Sequence, residues 1–173
     1  MVIRVATAAD AVDVAALHVA SWRATYRDIF PEEFLANEVE DDRLSFWQSR
    51  LSSCGQKQGD WVAVEDGLAV GFASANLDAH TEYGTLLANL HVLPGQQGKG
   101  IGRLLMGEVA RWSLVHRPAA MLHLSVVVTN LGARGFYARL GGEEVASERW
   151  HSPSGDEVPC QVVLWRDPQV LTC

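Results

Sequence analysis

The sequence has few cysteines and lacks the long apolar stretches of a membrane protein. Its 173 residues include three cysteines, Cys54, Cys160 and Cys173, which lie far apart and form no C-x-x-C pair. An odd number of widely spaced cysteines argues against a disulfide framework or a zinc site and favours a reducing compartment. No apolar run approaches the roughly 18 to 20 residues needed to cross a bilayer, and Met1–Arg4 shows no signal-peptide pattern. We therefore expect a cytoplasmic protein without a membrane partner.

Charged residues and low-complexity segments are also scarce. Charged residues make up 20% of the chain and apolar residues 48%, and no internal repeat or evident linker interrupts it. An apolar share of this size can bury a hydrophobic core, which excludes a disordered, collagen-like or coiled-coil protein. We expect a single domain over residues 1–173.

The charges are unevenly distributed along the chain. The formal net charge is −7, yet the segment from Tyr83 to Gly142 contains six basic residues and one acid, Glu108. The rest of the chain has eight basic and twenty acidic residues and therefore carries −12. An acidic protein with one basic segment indicates a local site for a small polyanion and argues against a nucleic-acid partner.

Hydrophobic periodicity predicts alternating strands and helices. Asp66-Gly67 separates two apolar segments and predicts a β-hairpin, and Thr7 with Asp10 resembles a capping box at the start of a helix. The order of the elements predicts an α/β (α+β) fold with a mixed, mostly antiparallel central sheet of about seven strands and about four helices. The predicted strands are Val2–Val5, Trp61–Val64, Leu68–Ala75, Leu86–Leu93, Met121–Val128, Glu143–Trp150 and Val158–Trp165, and the predicted helices follow Thr7, span about Glu40–Leu51, begin at Ile101 and follow Asn130.

The most informative segment is a glycine-rich turn after the strand Leu86–Leu93. The residues Pro94-Gly95-Gln96-Gln97-Gly98-Lys99-Gly100 lead directly into the helix that begins at Ile101. In such a turn several backbone N–H groups point at one place, and the helix dipole favours negative charge there, so the segment is a candidate phosphate site. A turn without a ligand is the alternative that the glycine content alone leaves open.

Other functional motifs do not fit the sequence. A P-loop requires Ser or Thr after its Gly-Lys pair, but here Lys99 is followed by Gly100, and a dinucleotide fingerprint requires glycine where Leu105 stands. His80-x-Glu82 has the spacing of part of a zinc deaminase motif, but Val163 occupies the position of its last cysteine. No G-x-S-x-G sequence supports a serine hydrolase. The sequence predicts no metal site.

Two motifs resemble those of the GCN5-related N-acetyltransferases, the GNAT superfamily, in its small bacterial form. Gln97-Gly98-Lys99-Gly100-Ile101-Gly102 matches (Q/R)-x-x-G-x-(G/A), and Asn130–Gly142 is similar to N-x-x-A-x-x-F-Y-x-x-x-G-F. A weaker similarity at Ser21–Tyr26 concerns the first helix. The resemblance implies an acyl-CoA-dependent N-acyltransferase that moves an acetyl group from acetyl-CoA to a primary amine, by direct attack through a tetrahedral intermediate.

The resemblance also implies which residues bind acetyl-CoA (CoA) as the cosubstrate. The pyrophosphate would lie on the glycine loop, and the pantetheine arm would lie beside the strand that precedes it, where a backbone N–H near Val92 could polarise the acetyl carbonyl. Asn130 would hydrogen-bond the arm from the other side. The candidate acetyl-CoA-binding residues are Leu90, His91, Val92, Gln97, Gly98, Lys99, Gly100, Ile101, Gly102, Arg103, Asn130, Ala133 and Tyr137.

Tyr137 matches the tyrosine that protonates the leaving thiolate in many family members and is the candidate general acid. A phenol has a pKa of about 10 and a free thiol one of about 8.5, so this proton transfer is nearly level. The general base is left open, because several relatives carry Glu on the strand before the loop, whereas Leu86-Leu87-Ala88-Asn89 contains no carboxylate. The candidate bases are His91 and Glu82, with His80, Asp78 or an ordered water chain as further alternatives.

The acceptor is less well specified than the donor. In this family its pocket usually draws on the first helices and the last hairpin, which here offer Trp22, Tyr26 and Trp150. Phe30, Glu148 and His151 are also available, and aromatic with acidic groups suit a small cation, so we expect a polyamine-like or amino-acid-derived small-molecule amine. A peptide or protein N-terminus, a lysine side chain, an antibiotic or a CoA-binding sensor without catalysis are the alternatives. Dimers are common in the family, and a homodimer is a candidate assembly.

Overall fold

The computed structural model describes residues 1–53 and 55–172, which form a seven-stranded sheet with four long helices. Two of the three cysteines, Cys54 and Cys173, lie outside the described residues, and Cys160 is a buried free thiol. The strands are β1 (Val2–Val5), β2 (Gln58–Glu65), β3 (Leu68–His80), β4 (Gly84–Val92), β5 (Leu122–Val127), β6 (Glu143–His151) and β7 (Glu157–Trp165). The helices are α1 (Ala11–Thr25), α2 (Val39–Ser52), α3 (Ile101–His116) and α4 (Leu131–Arg139).

The strands lie in the order β1-β2-β3-β4-β5-β7-β6. Every neighbouring pair in this sheet is antiparallel except β4 and β5, which run parallel because α3 connects them as a crossover. The predicted fold class, a mixed and mostly antiparallel sheet of seven strands with four helices, is thereby confirmed.

Three local sequence signals have the structural effect that they predict. Asp66 and Gly67 have φ values of 51° and 80°, the positive angles that a tight hairpin turn requires at both central positions. The Asn130 side chain accepts a hydrogen bond from the Ala133 backbone N–H at 3.1 Å and so caps α4. Gly141 ends that helix with a φ of 82°.

The sheet is covered on both faces. Successive residues of a strand point to opposite faces, so Ala73 packs under α3 with Leu105, while Phe72 packs under α1 and α2 with Leu17 and Trp47. All five side chains are 3% exposed or less. Because α1 and α2 lie on one face of β4 and α3 with α4 on the other, the end of β4 is surrounded by side chains from four helices.

Two short segments are not predicted by the sequence pattern. A π-helical turn at Phe34–Glu38 precedes α2 and buries Phe34 and Leu35 in an apolar cluster with Trp22 of α1. A 3₁₀ turn at Pro168–Leu171 packs the buried Leu171 with the core residues of α3. Both depend on long-range burial, which a periodicity of two or 3.6 residues does not reveal. Within the described residues, no helix is long and apolar enough to span a membrane.

The start of α1 is held to β1 by one carboxylate. Asp10 accepts from Arg4 Nη2 and Nη1 at 2.7 and 2.8 Å and from the Thr7 backbone N–H at 2.7 Å, so the capping box is present. The hydrogen bonds from Arg4, and secondly those from Thr7, lower the pKa of the Asp10 carboxyl, whereas burial raises it. The pKa falls to about 2 because the Arg4 hydrogen bonds outweigh the cost of burial.

We expect Asp10→Asn to lower the free energy of unfolding at pH 7 by about 1–2 kcal/mol, because it removes the ion pair with Arg4. The loss is modest because Arg4 is exposed and water screens the pair. The folded pKa of Asp10 lies below the unfolded value of 3.8, so this stabilisation exists above pH 4 and is lost as the pH falls towards 2. Urea unfolding of the wild type and of Asp10→Asn at pH 7, 4 and 3 measures the difference in their free energies of unfolding. Asp13→Asn, an exposed acid in the first turn of α1, is the control. A wild-type advantage that stays constant down to pH 3 would contradict the assignment.

Candidate active site

The parallel strands β4 and β5 separate after two residue pairs. Thr85 pairs with Leu122 and Leu86 with His123, and no further pair between these strands follows in the described residues. The register of β4 against β3 also skips Ala88, a β-bulge of the kind that bends a strand. From Leu87 to Val92 the side of β4 that faces β5 therefore borders a wedge-shaped gap in the sheet.

Two cavities lie along this gap. The first has a volume of about 760 Å³ and reaches from the gap to the glycine loop, and the second, of about 740 Å³, reaches from the gap to α2 and the β6–β7 hairpin. Six residues line both cavities: Tyr26, Leu87, Ala88, Asn89, His91 and Ser125. We call these six residues the shared wall. Groups in the shared wall can contact a ligand on either side.

The glycine loop closes the far end of the first cavity. Gly95, Gly98 and Gly100 have φ values of 87°, 81° and 82°, and a Cβ atom at any of the three would meet open space. Backbone conformation, not crowding, is therefore what requires glycine at these positions. Gly100 is the residue before α3, whose first N–H groups have no acceptor within the helix. This arrangement fits a phosphate or pyrophosphate group.

The structure brings nearly all candidate acetyl-CoA-binding residues to the first cavity. The exception is Lys99, which does not line this cavity and whose Nζ donates to Gln96 Oε1 at 2.5 Å. Arg103 and Arg139 supply positive charge to the lining, whereas Arg117 and Arg134 of the same basic segment pair with acids elsewhere. The candidates that line the cavity are Leu90, His91, Val92, Gln97, Gly98, Gly100, Ile101, Gly102, Arg103, Asn130, Ala133 and Tyr137.

Two tyrosines meet at the boundary between the cavities. Tyr137 of α4 lines the first cavity, and Tyr26, at the end of α1, lies in the shared wall and hydrogen-bonds the Asn130 side chain. Burial raises the pKa of Tyr26, an effect that this hydrogen bond only partly offsets. Burial and the neighbouring Tyr26 raise the pKa of Tyr137 well above 10. The near-level proton transfer expected from the sequence is therefore uphill before a ligand enters, and both phenols are neutral proton donors at pH 7.

His91 is the candidate base that lies in the shared wall. Its Nδ1 is 2.8 Å from Ser21 Oγ, and its ring stacks on Phe72 at a centroid distance of 5.2 Å. Burial and, secondly, the charge of Arg43 lower the pKa of His91 to about 4. The imidazole is therefore neutral at pH 7, with a lone pair that can accept a proton.

A second buried histidine lies behind His91. The His18 ring centroid is 4.5 Å from that of His91, and Trp47 Nε1 donates to His18 Nδ1 at 3.1 Å. Since Nδ1 is the acceptor, the proton of neutral His18 resides on Nε2, which has no hydrogen-bond partner in the described residues. Burial, His91 and Arg43 lower the pKa of His18 far below 6.5. His18 and His91 thus form an uncharged pair.

The other candidate bases lie outside both cavities. Glu82 is exposed in the turn between β3 and β4, where its backbone N–H donates to His80 Nδ1 at 3.1 Å. Asp78 pairs with Arg117 and Lys57. The structure therefore brings His91, but not these three residues, towards Tyr137.

The second cavity combines aromatic and charged side chains. Trp22, Tyr26 and Trp150, the aromatic residues predicted from the sequence, all line it, as do Glu148 and His151, whereas Phe30 is buried beneath Trp22. Ser125 of the shared wall donates a hydrogen bond to Glu148. The lining also contains Arg43 and Arg149, which sequence reasoning did not place there. The cavity is therefore of mixed charge and not uniformly acidic.

Sequence reasoning missed Ser21, His18 and Arg43 as site residues, although a helical spacing relates them to residues that it used. On α1, His18 precedes Trp22 by four positions and Ser21 by three, and on α2, Arg43 precedes Trp47 by four. Residues three or four apart share a helix face, so each follows once Trp22 and Trp47 are known to face inwards. Among the described residues, no group of three His, Cys, Asp or Glu side chains could hold a metal ion.

Comparison with known proteins gives a consistent result. Residues 19–142 match the model of the acetyltransferase (GNAT) family. The chain is 31% identical over 86% of its length to the uncharacterized N-acetyltransferase YuaI of Bacillus subtilis (strain 168), of which it covers 83%. It is 23% identical to the aminoglycoside N(6')-acetyltransferase type 1 of Salmonella enteritidis, over 86% of this chain and 92% of that one. The structure of yncA from Salmonella typhimurium with acetyl-CoA superposes with a TM-score of 0.65 at 20% identity, covering 95% of this chain and 92% of that one.

We expect the His91 ring to stay neutral from pH 8 to pH 5, since burial against His18 of α1 and Phe72 of β3 and the charge of Arg43 oppose its protonation. Two-dimensional NMR of the imidazole protons, assigned with His91→Asn, measures this. An inflection between pH 6 and 7 for the His91 signals would mean that water reaches the ring freely and would contradict the buried arrangement.

Proposed function

This chain belongs to the acetyltransferase (GNAT) family and is an acyl-CoA-dependent N-acyltransferase, and we propose that it transfers an acetyl group from acetyl-CoA to a primary amine of a small molecule. The observation that carries the proposal is the pair of cavities that meet at the shared wall. Two ligands can enter from opposite sides and meet where His91, Tyr26 and Ser125 are accessible to both. A direct transfer requires this arrangement.

The first cavity has the features that acetyl-CoA requires. The N–H groups of the glycine loop and α3 suit a pyrophosphate, and Arg103 and Arg139 add positive charge. The unpaired side of β4 from Leu87 to Val92 suits an extended arm with amide groups, which can pair with it as an added strand. When bound, acetyl-CoA supplies the activated thioester. The residues of the first cavity hold it with that end towards the shared wall.

The second cavity suits a small amine. Its volume of about 740 Å³ lies in the range typical of small-molecule sites. The faces of Tyr26 and Trp150 attract a cation, and the Glu148 carboxylate, oriented by Ser125, can hold an ammonium group beside the shared wall. These contacts suit the ammonium group of a small-molecule acceptor.

The proton transfers are assigned to two neutral groups. An amine must lose a proton to become a nucleophile, and His91 in the shared wall has a lone pair that can accept it. The low pKa of His91 means that it passes the proton on to water in the second cavity and does not retain it. Tyr137 donates a proton to the departing thiolate, and a backbone N–H of the open edge of β4 near Val92 polarises the acetyl carbonyl.

The direct test is acetyl-CoA consumption with a panel of small amines, polyamines, amino acids, aminoglycosides and peptides. We expect turnover with at least one class of small amine. Binding of acetyl-CoA without acetylation of any member would contradict the proposal and favour a sensor role. Exclusive acetylation of peptides would favour the alternative acceptor.

We expect acetyl-CoA at about 100 times its Kd to raise the free energy of unfolding by roughly 2.7 kcal/mol. Gly98→Ala should weaken this binding by roughly tenfold, because the strained loop no longer presents its N–H groups. Gly67→Ala in the β2–β3 turn is a matched control, since Gly67 and Gly98 have φ values of 80° and 81° and open space at Cβ. Both substitutions should cost about 1 kcal/mol of stability. Equal loss of acetyl-CoA affinity in both variants, or no stabilisation of the wild type, would refute the loop assignment.

We expect Tyr137→Phe to lower kcat by roughly 100-fold, with less than a threefold change in the KM of acetyl-CoA, because it removes the acid and keeps the ring. Steady-state kinetics with the best amine of the panel measures both constants. Tyr83→Phe is the control, since Tyr83 stacks on His80 outside both cavities. Unchanged turnover in Tyr137→Phe would exclude Tyr137 as the general acid.

A further inference from the structure

Arg43 is a buried charge in the wall of the second cavity. Its side chain is 9% exposed, and its guanidinium carbon lies 4.5 Å from the ring centroid of Trp22 and 4.8 Å from that of Phe46. These rings hold the guanidinium in place and exclude much of its water. A charge in such a place is costly unless an anion pairs with it.

The anion that the chain provides engages only part of the guanidinium. Arg43 Nε and Nη2 lie 2.6 and 2.5 Å from one oxygen of the neighbouring Asp42, Oδ2. The remaining nitrogen, Nη1, has no hydrogen-bond partner among residues 1–53 and 55–172 and is not one of the fully enclosed polar atoms. Nη1 is therefore accessible and unpaired, and the side chain that carries it lines the second cavity. A guanidinium with a free edge is the usual partner of a carboxylate.

Arg43 is also near the place where the amine must react. Trp22, which Arg43 contacts, packs edge-on against His18 at 4.6 Å, and His18 packs against His91 at 4.5 Å. The charge of Arg43 contributes to the low pKa of both histidines. Glu148 and Trp150 line the same cavity from β6. The cavity thus offers one buried cation on α2 and one anion on β6, beside the exposed Arg149, which pairs with Glu157.

A cavity with this lining does not suit a polycation. A polyamine or an aminoglycoside would bring positive groups close to Arg43 and would leave Nη1 without a partner. A molecule with one amine and one carboxylate satisfies both ends, since the amine interacts with Glu148 and the shared wall while the carboxylate binds Nη1.

We propose that the acceptor is amino-acid-like: it carries a carboxylate close to the reacting amine, and Arg43 of α2 binds that carboxylate. This inference rests on the proposed function and specifies its substrate class. Arg43 is then a specificity-determining residue, because the uncharged analogue of the same amine lacks the group that it recognises.

The test compares amines that differ only in the carboxylate. The pairs are phenylalanine with phenethylamine, methionine with 3-(methylthio)propylamine and lysine with cadaverine, and the corresponding amino-acid amides keep the shape without the charge. We expect kcat/KM of the wild type to favour the carboxylate by roughly 10- to 100-fold in at least one pair, mainly through KM, as a charge-assisted hydrogen bond would give. Arg43→Gln should reduce this ratio to less than about threefold, and Arg43→Lys should give an intermediate ratio.

The ratio of two substrates on one protein sample does not depend on the folded fraction, so a loss of stability in Arg43→Gln leaves the comparison valid. Arg23→Gln is the matched control, because it removes a positive charge that pairs with Glu40 of α2 and lies outside both cavities. The control should keep the wild-type ratio. Should Arg43→Gln fail to fold, the inference is tested by the kcat/KM preference of the wild type for the carboxylate and by the same ratio in Arg43→Lys.

Four results would overturn the inference. The first two are that the wild type uses the uncharged amines equally well or better, and that the kcat/KM ratio of carboxylate to uncharged amine is unchanged in Arg43→Gln and Arg43→Lys. The third is that Arg23→Gln loses this ratio to a comparable extent. The fourth is that a protein that acetyl-CoA stabilises acetylates no member of any pair. Acetylation of other amines would leave the proposed function intact. If acetyl-CoA fails to bind at all, the proposed function fails, and this inference fails with it.

Discussion

The separation of β4 from β5 is the constraint on which the site depends. Among the described residues two pairs join the strands, and beyond the bulge at Ala88 the backbone of Leu87–Val92 has no partner strand on that side. Unpaired backbone groups in a protein interior need water or a ligand. The same separation creates both cavities, sets the shared wall between them and directs the end of β4 at the glycine loop. An extended ligand with amide groups is the partner that such an edge favours.

The electrostatics of the site follow from burial. Burial raises the pKa of the phenols of Tyr26 and Tyr137 and lowers the pKa of the imidazoles of His18 and His91. Both effects favour the neutral form of the side chain. Neutral phenols can donate a proton and a neutral imidazole can accept one, so desolvation prepares both partners of an acid–base pair. The charge of Arg43 adds to the low pKa of the two histidines. A bound carboxylate at Arg43 would reduce that influence and make His91 a stronger base when an acceptor is present.

The sequence predicts the secondary-structure elements, with their turns and caps, better than the long-range contacts between side chains. The capping box of Asp10, the turn at Asp66-Gly67, the cap at Asn130 and the loop glycines are local signals, and each has the local structure that its chemistry requires. The contacts of His91 with Ser21 and His18 join residues about 70 positions apart, so no local pattern contains them. The turn at Phe34–Glu38 likewise forms because its apolar side chains are buried against Trp22. Such packing overrides local propensity.

The two cavities, proposed as the donor and acceptor sites, differ in the chain segments that form them. Most of the first cavity is formed by residues 87–140, one continuous stretch that holds β4, the loop, α3, β5 and α4. The second cavity collects Trp22, Arg43 and Glu148 from distant segments, and β6 and β7 lie beyond the residues 19–142 that match the family. Substitutions on α2 or β6 can therefore change the acceptor without disturbing the donor site. Arg43 and Glu148 both lie outside the two donor motifs, so those motifs do not determine the mixed charge of the second cavity.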